Sequence, residues 1–215
     1  MKKGYWLLAA LVVLGYFLDS MWTTSIDLPH HYALVARLAE HFTLPKAWDA
    51  SLGTMNIYPH GSHFLAAILG MLTGSNLLGM HVLSLLALLI VWGGLVWLFM
   101  HLPNPNRWWA LGLLAAILLL NRRVLLLPLH GDEIIGNYFF AQLVAQAGMV
   151  IALLLAFFFD YHERVKWRRN LMLTVLLWVL CFVHLLPVLE LLGLFILLKF
   201  RHSPASAAAE KVKNN

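Results

Sequence analysis

From Leu77 to Met100 the chain runs without a single Asp, Glu, Lys or Arg. A helix needs about 20 apolar residues to cross the hydrocarbon of a bilayer, and this run is long enough. Further apolar runs cover Gly4 to Trp22, Trp108 to Leu127 (interrupted by Arg122 and Arg123), Tyr138 to Phe159 and Leu171 to Phe200. Continuous runs imply helices, because a lipid-facing barrel strand alternates apolar and polar residues. Only 12% of the 215 residues are charged and 61% are hydrophobic, whereas a water-facing domain carries about a quarter charged residues. So few charges cannot coat a surface in water. The sequence predicts an all-α, polytopic transmembrane helical bundle of five or six spans over residues 1–200. A disordered polar tail follows at 201–215.

The net charge of +5 is not a nucleic-acid footprint, since the basic residues cluster at the ends of apolar runs, where membrane orientation is encoded. Lys2 and Lys3 place the N-terminus in the cytoplasm, and the run after them reads as an uncleaved first span. The weakly apolar Phe64–Leu72 is too short to span. If it stays at the outer interface, every basic cluster falls inside, including Arg164–Arg169. A first outer loop at 23–76 and a second at 129–138 then share the outer face of the inner (plasma) membrane. In the first loop Leu28, Tyr32, Val35, Leu38 and Phe42 recur at helical spacing, which predicts an amphipathic surface helix ended by Pro45. The lone Cys181 excludes an intrachain disulfide and reads as a packing residue. His184, Pro187 and Glu190 split the last apolar stretch into either one kinked span or a hairpin.

The two outer loops hold the residues that can carry chemistry. Asp27, His30, His31 and Asp49 lie in the first, and His130, Asp132 and Glu133 in the second. Carboxylates with imidazoles suit a divalent cation, magnesium or manganese, able to offset the charge of a leaving lipid phosphate. A carboxylate also suits a general base. A plainer account is available for each: Asp27 before Leu28-Pro29 fits a helix N-cap, and Asp132 and Glu133 fit a solvated loop. His184 and Glu190 stand apart, because ionisable groups within an apolar stretch are costly and tend to be functional.

The first loop reads Ser25-Ile26-Asp27-Leu28-Pro29-His30-His31-Tyr32, then Gly53-Thr54 and Tyr58-Pro59-His60-Gly61. This resembles the first outer loop of GT-C superfamily glycosyltransferases, a group that includes oligosaccharyltransferase catalytic subunits and protein O-mannosyltransferases. Gly131-Asp132-Glu133 sits where such enzymes carry a second acidic motif, although the usual acidic pair is spaced. The resemblance covers about residues 5–160 and implies the N-terminal part of such an enzyme. It implies Asp27 as the catalytic carboxylate, a base or a metal ligand, with Asp132 and Glu133 completing the metal site. His30, His31, Tyr58 and His60 would contact a polyprenyl-phosphate-linked sugar in the membrane lipid. One alternative is a non-catalytic subunit or truncated remnant that docks a partner subunit or lipid. Another is a haem- or copper-binding redox subunit using His63, His81, His130 or His184.

Overall fold

The computed structural model describes residues 27–46, 49–120, 140–162 and 166–201, together with Leu7 and Leu11. Among them every regular element is helical: α1 (Leu28–His41), a 3-10 turn (Gly53–Ile57), α2 (Gly61–Thr73), α3 (Asn76–Met100), α4 (Asn106–Leu120), α5 (Phe140–His162), α6 (Lys166–Val183) and α7 (Leu185–Arg201). The expected first span, the second outer loop at 129–138 and the tail beyond Arg201 lie outside the described residues, Leu7 and Leu11 excepted.

The expectation of five or six spans is corrected here. Among the described residues one helix, α3, is long and apolar enough to cross a membrane. The other apolar stretches end too soon: Gly61–Thr73, Phe140–Ala156, Asn170–Val183 and Leu185–Ile196 are each 10–17 residues. At 1.5 Å rise per residue such apolar stretches reach at most about 26 Å, short of the roughly 30 Å of hydrocarbon, even where the helix itself runs on, as α5 does to His162. The Leu171–Phe200 run fails for a visible reason. His184 leaves the helical path and divides it into α6 and α7.

The surface helix is also corrected. The helix forms as expected, with proline in its first turn and Phe42 at its C-cap in the left-handed region (φ 50°). Its inward stripe, however, is His31, Leu34, Val35 and Leu38, and these side chains join the core cluster with residues of α2 and α3. Tyr32 and Phe42 are exposed. The spacing i, i+3, i+4, i+7 fits one helical face better than the expected set did, but it requires a histidine at an apolar position. The apolar face of α1 is covered by protein.

α2 and α3 form a tight antiparallel hairpin. Gly74 takes φ 74°, open to glycine without steric cost, and ends α2. Ser75 caps α3, its hydroxyl accepting from Leu78 N–H at 3.3 Å. A Cβ on Gly79 would strike the backbone of Ala66 and Gly70, and one on Gly70 would meet Asn76. These pairings run 66 to 79 and 70 to 76, so the start of α2 lies level with roughly the third turn of α3. That is about 12 Å along its axis. α5 packs against α3 further along its length, where Gly94 faces Val150 and Leu154. The start of α2 rests on the end of α6, since a Cβ on Gly61 would come within 2.8 Å of the Phe182 carbonyl.

Gly79 and Gly93 lie on the same helix but differ in surroundings: backbone faces the first, and nothing lies within 4 Å of a Cβ on the second. Gly79→Ala should destabilise the purified protein by about 1–3 kcal/mol, because backbone cannot yield as a side chain does. Gly93→Ala should be neutral or gain up to about 1 kcal/mol from helix propensity. Thermal unfolding in detergent, followed by circular dichroism, checks the pair. Equal effects would remove the close-approach account.

Candidate functional site

α1, the Tyr58–His60 segment, the start of α2, the start of α5 and the α6–α7 break meet at one end of the α2 helix. His31 and His63, 32 positions apart, hydrogen-bond directly, with His31 Nδ1 2.9 Å from His63 Nε2. The rings are stacked at 5.1 Å, and both side chains are buried. Phe140 presents its ring edge-on to both, at 5.2 and 4.9 Å. Tyr58 meets them at 5.4 and 5.5 Å and lies 6.2 Å from the His184 ring.

The proton positions in the pair follow from its partners. The Pro59 carbonyl lies 3.2 Å from His63 Nδ1, and a carbonyl can only accept. His63 Nδ1 therefore carries the proton and donates. In the neutral ring Nε2 then holds a lone pair, which accepts from His31 Nδ1–H. His31 Nε2 is left as the acceptor nitrogen of the pair. Burial favours this neutral arrangement. It pushes His31 from 6.5 down to about 4, with the Asp27 charge opposing and His30 assisting. His63 lies well below its ordinary value, chiefly through burial and then through His31.

Asp27 occupies the N-cap position of α1, and its carbonyl accepts from His31 N–H at 3.1 Å. Its carboxylate makes no capping hydrogen bond. The charge instead acts on the neighbouring rings. It opposes the fall of His31 and, after burial, raises the Tyr58 phenol. His30 is on the exposed side of α1. His60 precedes α2, with burial lowering its pKa. Its Nε2 is enclosed without a hydrogen-bond partner among the described residues.

Asp49 is engaged elsewhere. Its carboxylate accepts from Ser51 N–H at 3.1 Å and from the Ser51 hydroxyl at 2.5 Å, and it pairs with Arg37 at 3.7 Å. The Ser51 bonds, hydroxyl first, hold it below the usual carboxylate range. Asn56 Nδ2–H donates to the Asp49 carbonyl at 2.6 Å, so this acid pins the loop.

Of the residues singled out in the sequence, Asp27, His31, Tyr58, His60 and His184 are brought to this region, with His30 at its edge. Glu190 is exposed on α7, with its charge acting on His184. His130, Asp132 and Glu133 lie outside the described residues. Among the described residues no group of three His, Cys, Asp or Glu side chains is arranged to hold a metal ion. His63 has both ring nitrogens engaged by protein partners, which leaves it no lone pair for haem or copper. Its part as the partner of His31 was missed in the sequence. The available signal was His31 on the buried stripe of α1, which requires a polar partner across the helix interface. Phe140 carried no such signal. His101 is exposed at the end of α3, with its ring 4.1 Å from that of Trp97.

No family model, curated protein or solved structure matches the chain.

The buried pair makes stability depend on pH. Above 6.5 the two rings are neutral in folded and unfolded chains alike. Below 6.5 the unfolded chain takes up protons that the folded one refuses, until about 4 for His31, while burial also holds His63 well below its ordinary value. Stability should therefore fall as pH falls from 6.5, by about 1 kcal/mol per unit for each histidine. Melting temperatures of wild type and the His31→Leu/His63→Leu double variant, taken from pH 7.5 to 4.5, test this. The variant should show a clearly flatter profile, and parallel profiles would contradict the neutral pair.

Proposed function

We propose that the chain is a membrane glycosyltransferase of the GT-C type, or the N-terminal part of one. It transfers a sugar from a polyprenyl-phosphate donor to an acceptor at the outer face of the inner membrane. The observation that carries this reading is the nearness of Asp27, whose carbonyl accepts from His31 N–H, to Tyr58, whose ring meets that of His31 at 5.4 Å. The two halves of the first-loop pattern are separated by a whole helix and a pinned loop, yet Asp27 acts electrostatically on Tyr58. The Asp27 carboxylate is also not spent on capping, which favours an acid with another task. In the proposed reaction Asp27 takes the proton of the acceptor hydroxyl. That oxygen bonds to the anomeric carbon as the bond from carbon to the phosphate oxygen breaks, and the electron pair leaves on the lipid phosphate.

The resemblance implies a divalent cation, magnesium or manganese. The described residues do not make a site for one by themselves, since Asp27 offers a single carboxylate and the neighbouring His63 is bonded to His31. The cation therefore rests on Asp132 and Glu133, outside the described residues, and no step is routed through it.

In this reading the N-terminus is cytoplasmic, and the chain crosses the bilayer with its N-terminal apolar run and again with α3. Lipid contact by the shorter helices is supported by the outward faces of α6 and α7. Leu171, Val175, Trp178 and Phe182 recur along α6, Trp178 72% and Phe182 62% exposed. A stripe of that size in water marks an interaction surface. Thr54, exposed in the 3-10 turn, then lies on the outer side. In a Cys181→Ser background, Thr54→Cys should react with a membrane-impermeant maleimide added to intact cells. Labelling only after the inner face is opened would reverse the orientation.

Asp27→Asn separates the catalytic role from capping, since asparagine caps about as well as aspartate. Sugar transfer from a polyprenyl-phosphate donor should fall at least a hundredfold, while thermal stability shifts by under about 0.5 kcal/mol. Unchanged transfer in the variant would return Asp27 to a structural part. Absence of transfer in both proteins would favour the docking subunit.

A further inference from the structure

His184 and Tyr58 come from opposite ends of the described chain, and the function proposed above uses His184 for nothing. His184 is the one non-helical residue between α6 and α7. Its Nδ1 accepts from Leu186 N–H at 3.3 Å, capping the first turn of α7. That bond fixes the tautomer: Nδ1 holds the lone pair, so Nε2 carries the proton and can only donate. Tyr58 stands beside it, 6.2 Å between ring centroids. The contact of Gly61 with Phe182 holds the two segments together. Burial and the Asp27 charge keep the phenol protonated and able to donate.

We propose that Tyr58 and His184 form a binding site for a lipid-borne phosphate, the phenol and the imidazole Nε2–H each donating to a phosphate oxygen. A donor pair matches an ionised phosphate, whose oxygens accept without donating. It does not match a metal ion. The lipid source is argued from the surroundings. Phe182, Leu185 and Leu189 flank the break and are exposed, so whatever reaches His184 approaches over apolar surface. A prenyl chain is held by such a surface, whereas inorganic phosphate has nothing to lay on it. Two carboxylates oppose the anion, Asp27 from the Tyr58 side and Glu190, whose charge acts on His184. The site deepens the glycosyltransferase reading by naming residues for the carrier phosphate, and in that sense rests on it.

The test measures binding of geranylgeranyl monophosphate to the full chain in phosphatidylcholine nanodiscs. Geranylgeraniol and inorganic phosphate serve as competitors. The phosphate lipid should bind well ahead of the alcohol. Tyr58→Phe and His184→Leu should each weaken it about tenfold. His184→Gln keeps an acceptor for Leu186 N–H and a donor outward, and should restore most of the affinity. Glu190→Gln should strengthen binding, an electrostatic signature that a purely structural role for His184 does not produce. Equal binding of alcohol and phosphate overturns the proposal, as does unchanged affinity in Tyr58→Phe. That variant keeps the ring and carries the test if His184→Leu does not fold. Inorganic phosphate competing as well as the lipid overturns the lipid source. Phosphate binding with these variant effects but no sugar transfer refutes the transferase and leaves the site standing. Transfer by a protein whose phosphate binding ignores both variants does the reverse.

Discussion

The arrangement of this protein depends on how closely α2 can approach α3. At Gly70 and Gly79 the two helices meet backbone to backbone, with no room for a Cβ on either side. Dispersion contacts at that distance involve many atoms at once, and the Gly74-Ser75 turn makes the hairpin local and inexpensive to close. Because α2 is about half the length of α3, its first residue does not reach the far end of the longer helix. It stops part-way along, and everything attached to that first turn is set at that height.

A helix that begins part-way along another leaves polar groups in apolar surroundings, and those groups need partners. The chain meets the need with imidazoles. His63, in the first turn of α2, donates to the Pro59 carbonyl behind it and accepts from His31 on α1. His184 serves the same purpose at the second interruption, where its ring accepts from the first turn of α7. Non-helical backbone in apolar surroundings is tolerated where protein buries it. Both interruptions here lie against each other, with Tyr58 between them. One packing constraint thus brings together an acid, a phenol and imidazoles that burial keeps neutral.

Helix length accounts for the difference between the expected and observed span count. Hydropathy measures how far an apolar composition continues. Crossing a bilayer also requires an unbroken helix. The two measures agree for Asn76–Met100. They part company at Leu171–Phe200, where composition continues through His184 and the helix does not. Pro187 is buried in the first turn of α7, where its missing N–H costs nothing, so a residue that looks like a mid-helix kink in the sequence is a helix start in the structure.

Local composition and spacing were enough to imply that the chain is helical and apolar, that α3 can cross a bilayer, that a helix follows Asp27, and that His184 interrupts the last apolar stretch. Each of these follows from local composition, spacing or a proline, which act over a few residues. Val35 and Leu38 were legible as part of an apolar helix face for the same reason, though not as covered by protein. The pairing of His31 with His63 was not, because a histidine on an apolar stripe is acceptable only if a partner exists, and that partner is 32 positions away. The closeness of Tyr58 to His184 was equally hidden, since it is set by the contact of Gly61 with the Phe182 carbonyl. Tertiary structure decided which polar residues share a site, because that depends on where short helices stop against long ones, and local sequence carries no record of that distance.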